Sequence, residues 1–196
     1  MLASLSLFTN CRKVCDNKDA PTHELTQGQR DWGKPFVKND VWRFSNASGY
    51  VRTYRVTRAE MLNEGGGGGK TSFCSTYFYN YFVADLERTD SVARPFDVPF
   101  RFQLLPANPS ANKPFTASAF LGIANFSLPI DQVEDGQLTL APATFGTRTY
   151  PAVLESAFSP IPSLGARPTF VRRVFFTKTE GLIRFEEFGG TVWNRL

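Results

Sequence analysis

Histidine is almost absent from this chain of 196 residues, and the deficit narrows its chemistry. The one histidine, His23, lies in a polar stretch ahead of the first strand-like segment, where a solvated imidazole is expected. Serine–histidine triads, histidine-ligated zinc and histidine general bases all need an imidazole placed in a site. We therefore predict no catalytic residue and no enzymatic activity.

Long apolar runs are missing as well. None approaches the ~18 residues that would span a bilayer, so no transmembrane helix is predicted. The formal net charge is only +4 and is spread along the chain, which argues weakly for a polyanionic partner. Aromatic residues are abundant instead, with 19 Phe beside 6 Tyr and 3 Trp. This composition excludes a disordered chain and indicates one folded domain with a sizeable core.

Residues 1–11 look like an export signal. Residues 2–8 form a short apolar run that contains small residues, typical of the core of a secretory signal. A cysteine follows closely, so residues 1–11 are interpreted as a bacterial lipoprotein signal in which Cys11 is lipidated and begins the mature chain. The alternative is an ordinary apolar strand at the amino terminus.

Cysteine is scarce and odd in number, at Cys11, Cys15 and Cys74. If Cys11 carries lipid, Cys15 and Cys74 remain as a pair in an oxidising compartment. A disulfide between them would be worth about 4 kcal/mol in the chain-entropy model. The alternative is a buried Cys74 thiol and a free Cys15. No second Cys or His pair completes a metal site, so no metal and no cofactor are predicted.

The body of the chain has the period-2 alternation of strands. Residues 12–39 are polar and are predicted to be a tether with one short helical turn around residues 24–32. About nine or ten short strands predict a single antiparallel all-β domain over residues 40–196, and sandwich, curved sheet and open barrel all stay open. The strands are predicted over residues 41–44, 50–57, 73–83, 100–104, 120–128, 137–140, 150–156, 170–177, 181–188 and 191–193.

Three motifs resemble binding sites that their surroundings do not support. A P-loop would need a glycine where Glu64 stands and a helix after it, so residues 65–71 are predicted to be a hairpin loop and no nucleotide is expected. Asp131, Glu134 and Asp135 lack EF-hand spacing and are predicted to form a solvated turn. No nucleic-acid partner is expected from the arginines near aromatic residues, which are interpreted as solvated outer-face residues. They are Arg52, Arg55, Arg58, Arg172, Arg173 and Arg184.

Two pairs of neighbouring carboxylates bear on catalysis. Glu186 and Glu187 are consecutive, so on a strand they face opposite sides and cannot act together. Asp85 and Glu87 are two residues apart and share a face, where they could divide acid and base roles as in a glycosidase. They are the candidates for a carboxylate-dependent envelope hydrolase, which is an alternative to the binding functions below.

Both halves of the domain carry a recognisable pattern. Residues 39–44 (NDVWRF), Gly49 and residues 52–57 (RTYRVT) have the form W-x-F … G … T-x-x-V-T. Lys178, residues 180–186 (EGLIRFE) and residues 189–193 (GGTVW) have the form K-x-x-G-L-I-x-F … G-x-x-W. With a lipidated cysteine ahead of them, these patterns resemble a loose group of small envelope lipoproteins of Bacteroidetes-type bacteria. The resemblance implies an exported β-rich lipoprotein, and it implies no activity or catalytic residues.

These observations predict a lipid-anchored protein of the cell envelope, in the outer membrane, that acts as a non-catalytic binding or accessory module. Its partners would be a membrane, through the lipid on Cys11, and an envelope protein. The alternative is a carrier that holds a hydrophobic ligand in an aromatic-lined β cavity. The many phenylalanines would otherwise simply fill a thick core. The oligomeric state is not predicted.

Overall fold

The computed structural model describes residues 19–67, 75–90, 100–109, 112–158 and 167–196. In these residues the protein is all-β, as predicted, with twelve strands and two short helices. In chain order the elements are β1 (Thr22–His23), α1 (Gln27–Asp31), β2 (Val41–Ser45), β3 (Val51–Gly66), β4 (Tyr77–Arg88), β5 (Phe100–Leu105), β6 (Thr116–Leu121), β7 (Ala124–Ser127), α2 (Ile130–Glu134), β8 (Ala141–Phe145), β9 (Arg148–Ala157), β10 (Val171–Thr177), β11 (Gly181–Glu187) and β12 (Val192–Arg195).

The strands form one curled sheet in the order β7-β6-β5-β4-β3-β2-β12-β11-β10-β9-β8. Strands β2 to β7 are one antiparallel meander and β8 to β12 are a second, and the antiparallel pair β2–β12 joins them. Curling brings β7 against β9, where the Ser156 hydroxyl donates to the Ser127 carbonyl at 2.7 Å. Of the architectures left open by the sequence, the structure is therefore a half-barrel. The short strand β1 adds to β4 in parallel.

The inner face of the half-barrel holds an aromatic core. Strand alternation places Trp42 and Phe44 of β2 inward, with 1% of each exposed. Phe102 of β5 and Phe185 of β11 are fully buried on the same side. This alternation was visible in the sequence and confirms the strands predicted over residues 41–44 and 100–104.

Residues within the predicted tether belong to this core. Leu25, Trp32 and Phe36 are between 1% and 4% exposed and pack on the inner face of the sheet. The short helix α1 between them confirms the predicted helical turn. It begins with a capping box in which Thr26 and Gln29 bond each other's backbone amides. Here the structure differs from a free tether because large apolar side chains, spaced among polar ones, fill the concave side.

The predicted strand over residues 137–140 is wrong. The chain there follows α2 through a turn at Gly136, which adopts a φ of 71°. Leu138 and Leu140 do pack partly against the core, so their alternation comes from a covering turn and not from a sheet. The predicted strand over residues 120–128 is two strands, β6 and β7, joined by a tight turn at Gly122 with a φ of 60°.

Among the described residues, no helix is both long enough and apolar enough to cross a bilayer.

Candidate docking surface

The predicted site residues fall into two groups. Cys11, Cys15 and Cys74 lie outside the described residues, so the lipidation site and the disulfide stay predictions. Asp85 and Glu87 are on β4. The carboxylate of Asp85 accepts from the Arg101 guanidinium at 2.7 Å, and this hydrogen bond raises the pKa of Arg101. Asp85 is thus one half of an ion pair that ties β4 to β5.

Of the acidic residues predicted to form a solvated turn, Asp135 is exposed, whereas Glu134 is a structural anchor. Glu134 accepts from the Trp32 indole at 2.7 Å and from the Lys178 ammonium at 2.8 Å. Gly28 in α1 makes room for this carboxylate, because a Cβ there would lie 2.1 Å from its Oε2 atom. The described residues contain no group of three histidine, cysteine or carboxylate side chains arranged for a metal ion.

Glu186 and Glu187 point to opposite faces of β11 and have different arginine partners. Glu186 is bonded by Arg172 at 3.0 Å and also by Arg184. Burial opposes the charge, but these two arginines lower the pKa of Glu186 below its ordinary value. Glu187 lies 2.7 Å from a guanidinium nitrogen of Arg52. Both carboxylates act as internal counter-ions.

The interior of the half-barrel is filled, as far as the described residues show. The void among Trp42, Phe44 and Leu182 has no room for a water molecule. A larger space of about 380 Å³ lies in an open depression beside Lys34 and Lys178, outside the aromatic core. The aromatic residues that line this void therefore serve as core.

One hairpin extends beyond its neighbours in the sheet. Strands β3 and β4 pair all the way to Gly66 and Tyr77. Strand β2 pairs with β3 only as far as Arg55, and β5 pairs with β4 only from Phe82 onward. We call residues 58–66 with residues 77–81 the hairpin tip. Among the described strands, only the short strand β1 lies beside it on the β4 side.

The outer face of the hairpin tip carries a row of three tyrosines, Tyr77, Tyr79 and Tyr81, which we call the tyrosine strip. They alternate along β4 and so share one face. Neighbouring ring centroids are 6.1 Å and 5.7 Å apart, and all three side chains are partly exposed. The imidazole of His23 packs edge-on against Tyr77 at 5.9 Å. The strip is a continuous aromatic surface at the outside of the molecule.

Carboxylates border the tyrosine strip. Glu64 stands opposite Tyr79 on β3, and Glu60 lies two pairs further along the same face. Burial raises the pKa of Tyr79 and of Tyr81, and the negative charge of Glu64 raises both further. Hydrogen bonding to Glu64 also contributes to the raised pKa of Tyr81. Glu60 is paired with Arg58 at 2.6 Å. The surface thus combines phenol rings with negative charge.

The signal for this surface was present in the sequence as tyrosine at alternate positions of residues 77–81. The segment is apolar on both faces, which favours a central strand. Strand β4 is indeed internal to the sheet, but its first half extends past β5 and stays partly exposed. Comparison with known protein families, with curated proteins and with solved structures finds no match to this chain.

Proposed function

We propose that this protein is a non-catalytic docking module of the cell envelope, held to the membrane by a lipid on Cys11, which binds a partner protein on its tyrosine strip. The tyrosine strip is the observation that carries the proposal. The packing of the core supports it, because the void among Trp42, Phe44 and Leu182 has no room for a water molecule. For that reason the carrier function is not proposed.

Tyrosine suits such a surface for physical reasons. Its ring supplies a large apolar area at low conformational cost, and its hydroxyl satisfies polar groups at a wet boundary. Tyrosine is accordingly enriched among the few interface residues that dominate binding energy. Phe102, Phe126 and Tyr150 are buried in the core, whereas the tyrosines of the strip are partly exposed. Core filling explains those three residues and does not account for the strip.

Site-specific photocrosslinking in the native membranes tests the docking function. A crosslinking phenylalanine analogue replaces Tyr79 in one variant and Tyr50 in a matched control. Tyr50 is 70% exposed at the far end of β3, so it reports random encounters. We expect one adduct of defined mass from position 79 and none from position 50. Equal adducts from both positions, or none from position 79, would contradict the proposal.

A further inference from the structure

We infer that the free edge of β3 in the hairpin tip accepts an extended, basic polypeptide segment as an added strand. This inference rests on the proposed docking function and specifies the chemistry of the partner. It is built on three observations: the open edge, the direction of the backbone groups along it, and the charge beside it.

The edge is open over most of the hairpin tip. The last bonds from the β2 side join Val56 to Asn39 and Asp40. From Arg58 to Gly66, no described strand lies on that side of β3, while β4 pairs with the other side throughout. A row of unpaired backbone groups at a sheet edge is a ready template for another strand.

The backbone groups on this edge can be assigned from one bond. The amide of Phe78 donates to the Pro21 carbonyl, so Phe78 directs its backbone toward β1. In an antiparallel ladder direction alternates, so the strip tyrosines direct theirs toward β3 and bond their register partners there. Those partners are Leu62, Glu64 and Gly66, so the alternate residues of β3, Met61, Asn63 and Gly65, must direct their N–H and C=O groups to the open side.

The charge beside the edge selects a basic segment. Side chains of an added strand that face outward would lie next to Glu64, for which no ion pair is found among the described residues, and would reach the tyrosine strip. A cation there gains from the Glu64 carboxylate and from the ring faces, whereas Glu60 is already paired with Arg58. Side chains that face inward would lie next to Met61, which is 44% exposed and apolar. The expected partner segment therefore alternates arginine or lysine with apolar residues.

Arginine guanidinium groups stack on several aromatic rings outside the tyrosine strip. Among the described residues, no arginine stacks on a ring of the strip itself. The stacked pairs include Arg52 on Trp193 at 4.0 Å, Arg195 on Trp42 at 4.0 Å, Arg184 on Phe145 at 4.6 Å and Arg148 on Tyr150 at 5.1 Å. A basic partner would supply at the strip the cation that the chain supplies elsewhere.

Two other occupants fit less well. The first is a second copy of the chain, paired antiparallel along the same edge. Two hairpin tips overlap most fully when Leu62 of one copy lies opposite Leu62 of the other. Glu60 of each copy then lies opposite Glu64 of the other, and like charges directly opposite are destabilising. Nucleic acid would bring phosphates toward the same carboxylates, whereas its binding depends on cations.

The test titrates the full chain by calorimetry with a short peptide that alternates arginine and valine. Replacing its arginines by neutral citrulline should weaken binding about tenfold or more. In two further peptides every second backbone amide is N-methylated, at the odd-numbered residues in one peptide and at the even-numbered residues in the other. Only one of these two sets of amides faces β3, so the two peptides should differ about tenfold or more in Kd. Equal affinities in either comparison would overturn the inference.

Variants of the protein test the same contacts from the other side. Glu64→Gln should weaken the arginine peptide about two- to fivefold, while Glu155→Gln, the same charge change on the distant β9, should leave Kd unchanged. Far-UV circular dichroism of both variants verifies their folding. Bound peptide should also slow hydrogen exchange of the Met61 and Asn63 amides. Exchange that the peptide leaves unchanged would refute strand addition.

The outcomes separate this inference from the docking function. If position 79 gives a crosslinked adduct but the peptide does not bind, the proposed docking function stands and the inference of an added basic strand is overturned. A neutral oligosaccharide that binds the strip more tightly than the peptide would overturn it as well. So would a dimer in sedimentation equilibrium that the peptide disperses, because the edge would then belong to a second copy. Failure of the crosslink removes the docking function itself.

Discussion

Truncating Phe36 to alanine should destabilise the domain by about 3–5 kcal/mol, as expected for a large core residue. Phe36 is 4% exposed, and its ring lies 4.7 Å from that of Phe102 and 4.9 Å from that of Trp42. Burial of such a side chain contributes about 1.5–3 kcal/mol, and each close aromatic pair adds about 0.5–1.5 kcal/mol. The sum of these contributions agrees with the range for core truncations.

Urea unfolding followed by tryptophan fluorescence measures the effect, with the midpoint expected to fall while the slope is unchanged. The melting temperature should drop by roughly 6–20 °C for a chain of this size. Val37→Ala is the matched control. The Val37 side chain, next to Phe36 in the chain, is 54% exposed, so we expect the free energy of unfolding to change by no more than about 0.5 kcal/mol. A loss below about 1 kcal/mol for Phe36→Ala would refute the assignment of this segment to the core.

Two further substitutions and one mass measurement have defined outcomes. Glu186→Gln should cost about 1.5–3 kcal/mol at neutral pH because it removes the charged acceptor of two arginines, whereas the exposed Glu155→Gln should cost under about 0.5 kcal/mol. Since the folded pKa of Glu186 is lowered, its stabilisation is present above the ordinary pKa of 4.5 and is lost as the pH falls through the folded value. Urea unfolding should therefore show that the difference in the free energy of unfolding between the unsubstituted protein and Glu186→Gln becomes smaller at acid pH. A difference that does not depend on pH would contradict the ion pairing. Glu134→Gln should cost about 1–3 kcal/mol through loss of its lysine and indole partners, against under about 0.5 kcal/mol for the exposed Asp135→Asn. The intact mass from native membranes should equal residues 11–196 plus acyl groups, with a gain of about 2 Da on reduction if the predicted disulfide forms; an unmodified chain that begins at Met1 would exclude lipidation.

The strands were predictable from the sequence where one face of a strand is buried and the other is solvated. Alternation of Trp42 and Phe44 with polar neighbours is such a case, and β2 lies where it was expected. Strands β10 and β11 also lie where they were expected, although most of their residues are buried on both faces. For β2, local pattern is sufficient because the burial of each residue follows from its position on one strand.

Long-range contacts explain what the sequence did not show. Trp32 and Phe36 lie in a mostly polar stretch, and they are buried because the curled sheet offers a concave surface. The partners of Glu134 come from two distant segments, so its role as an anchor has no local signal. The tyrosine strip needs the relative lengths of β3, β4 and β5, which follow from pairing and not from composition.

The parallel pairing of β1 with β4 has a consequence for geometry at the membrane. His23 is aligned with Tyr79, so the chain enters the domain directly beside the tyrosine strip. If Cys11 carries lipid, the stretch from there to Thr22 can span at most roughly 40 Å. A tether over all of residues 12–39 would have reached roughly 95 Å. The binding surface of an anchored molecule would then sweep only a thin layer next to the bilayer, and its partner would have to come to that layer to be captured.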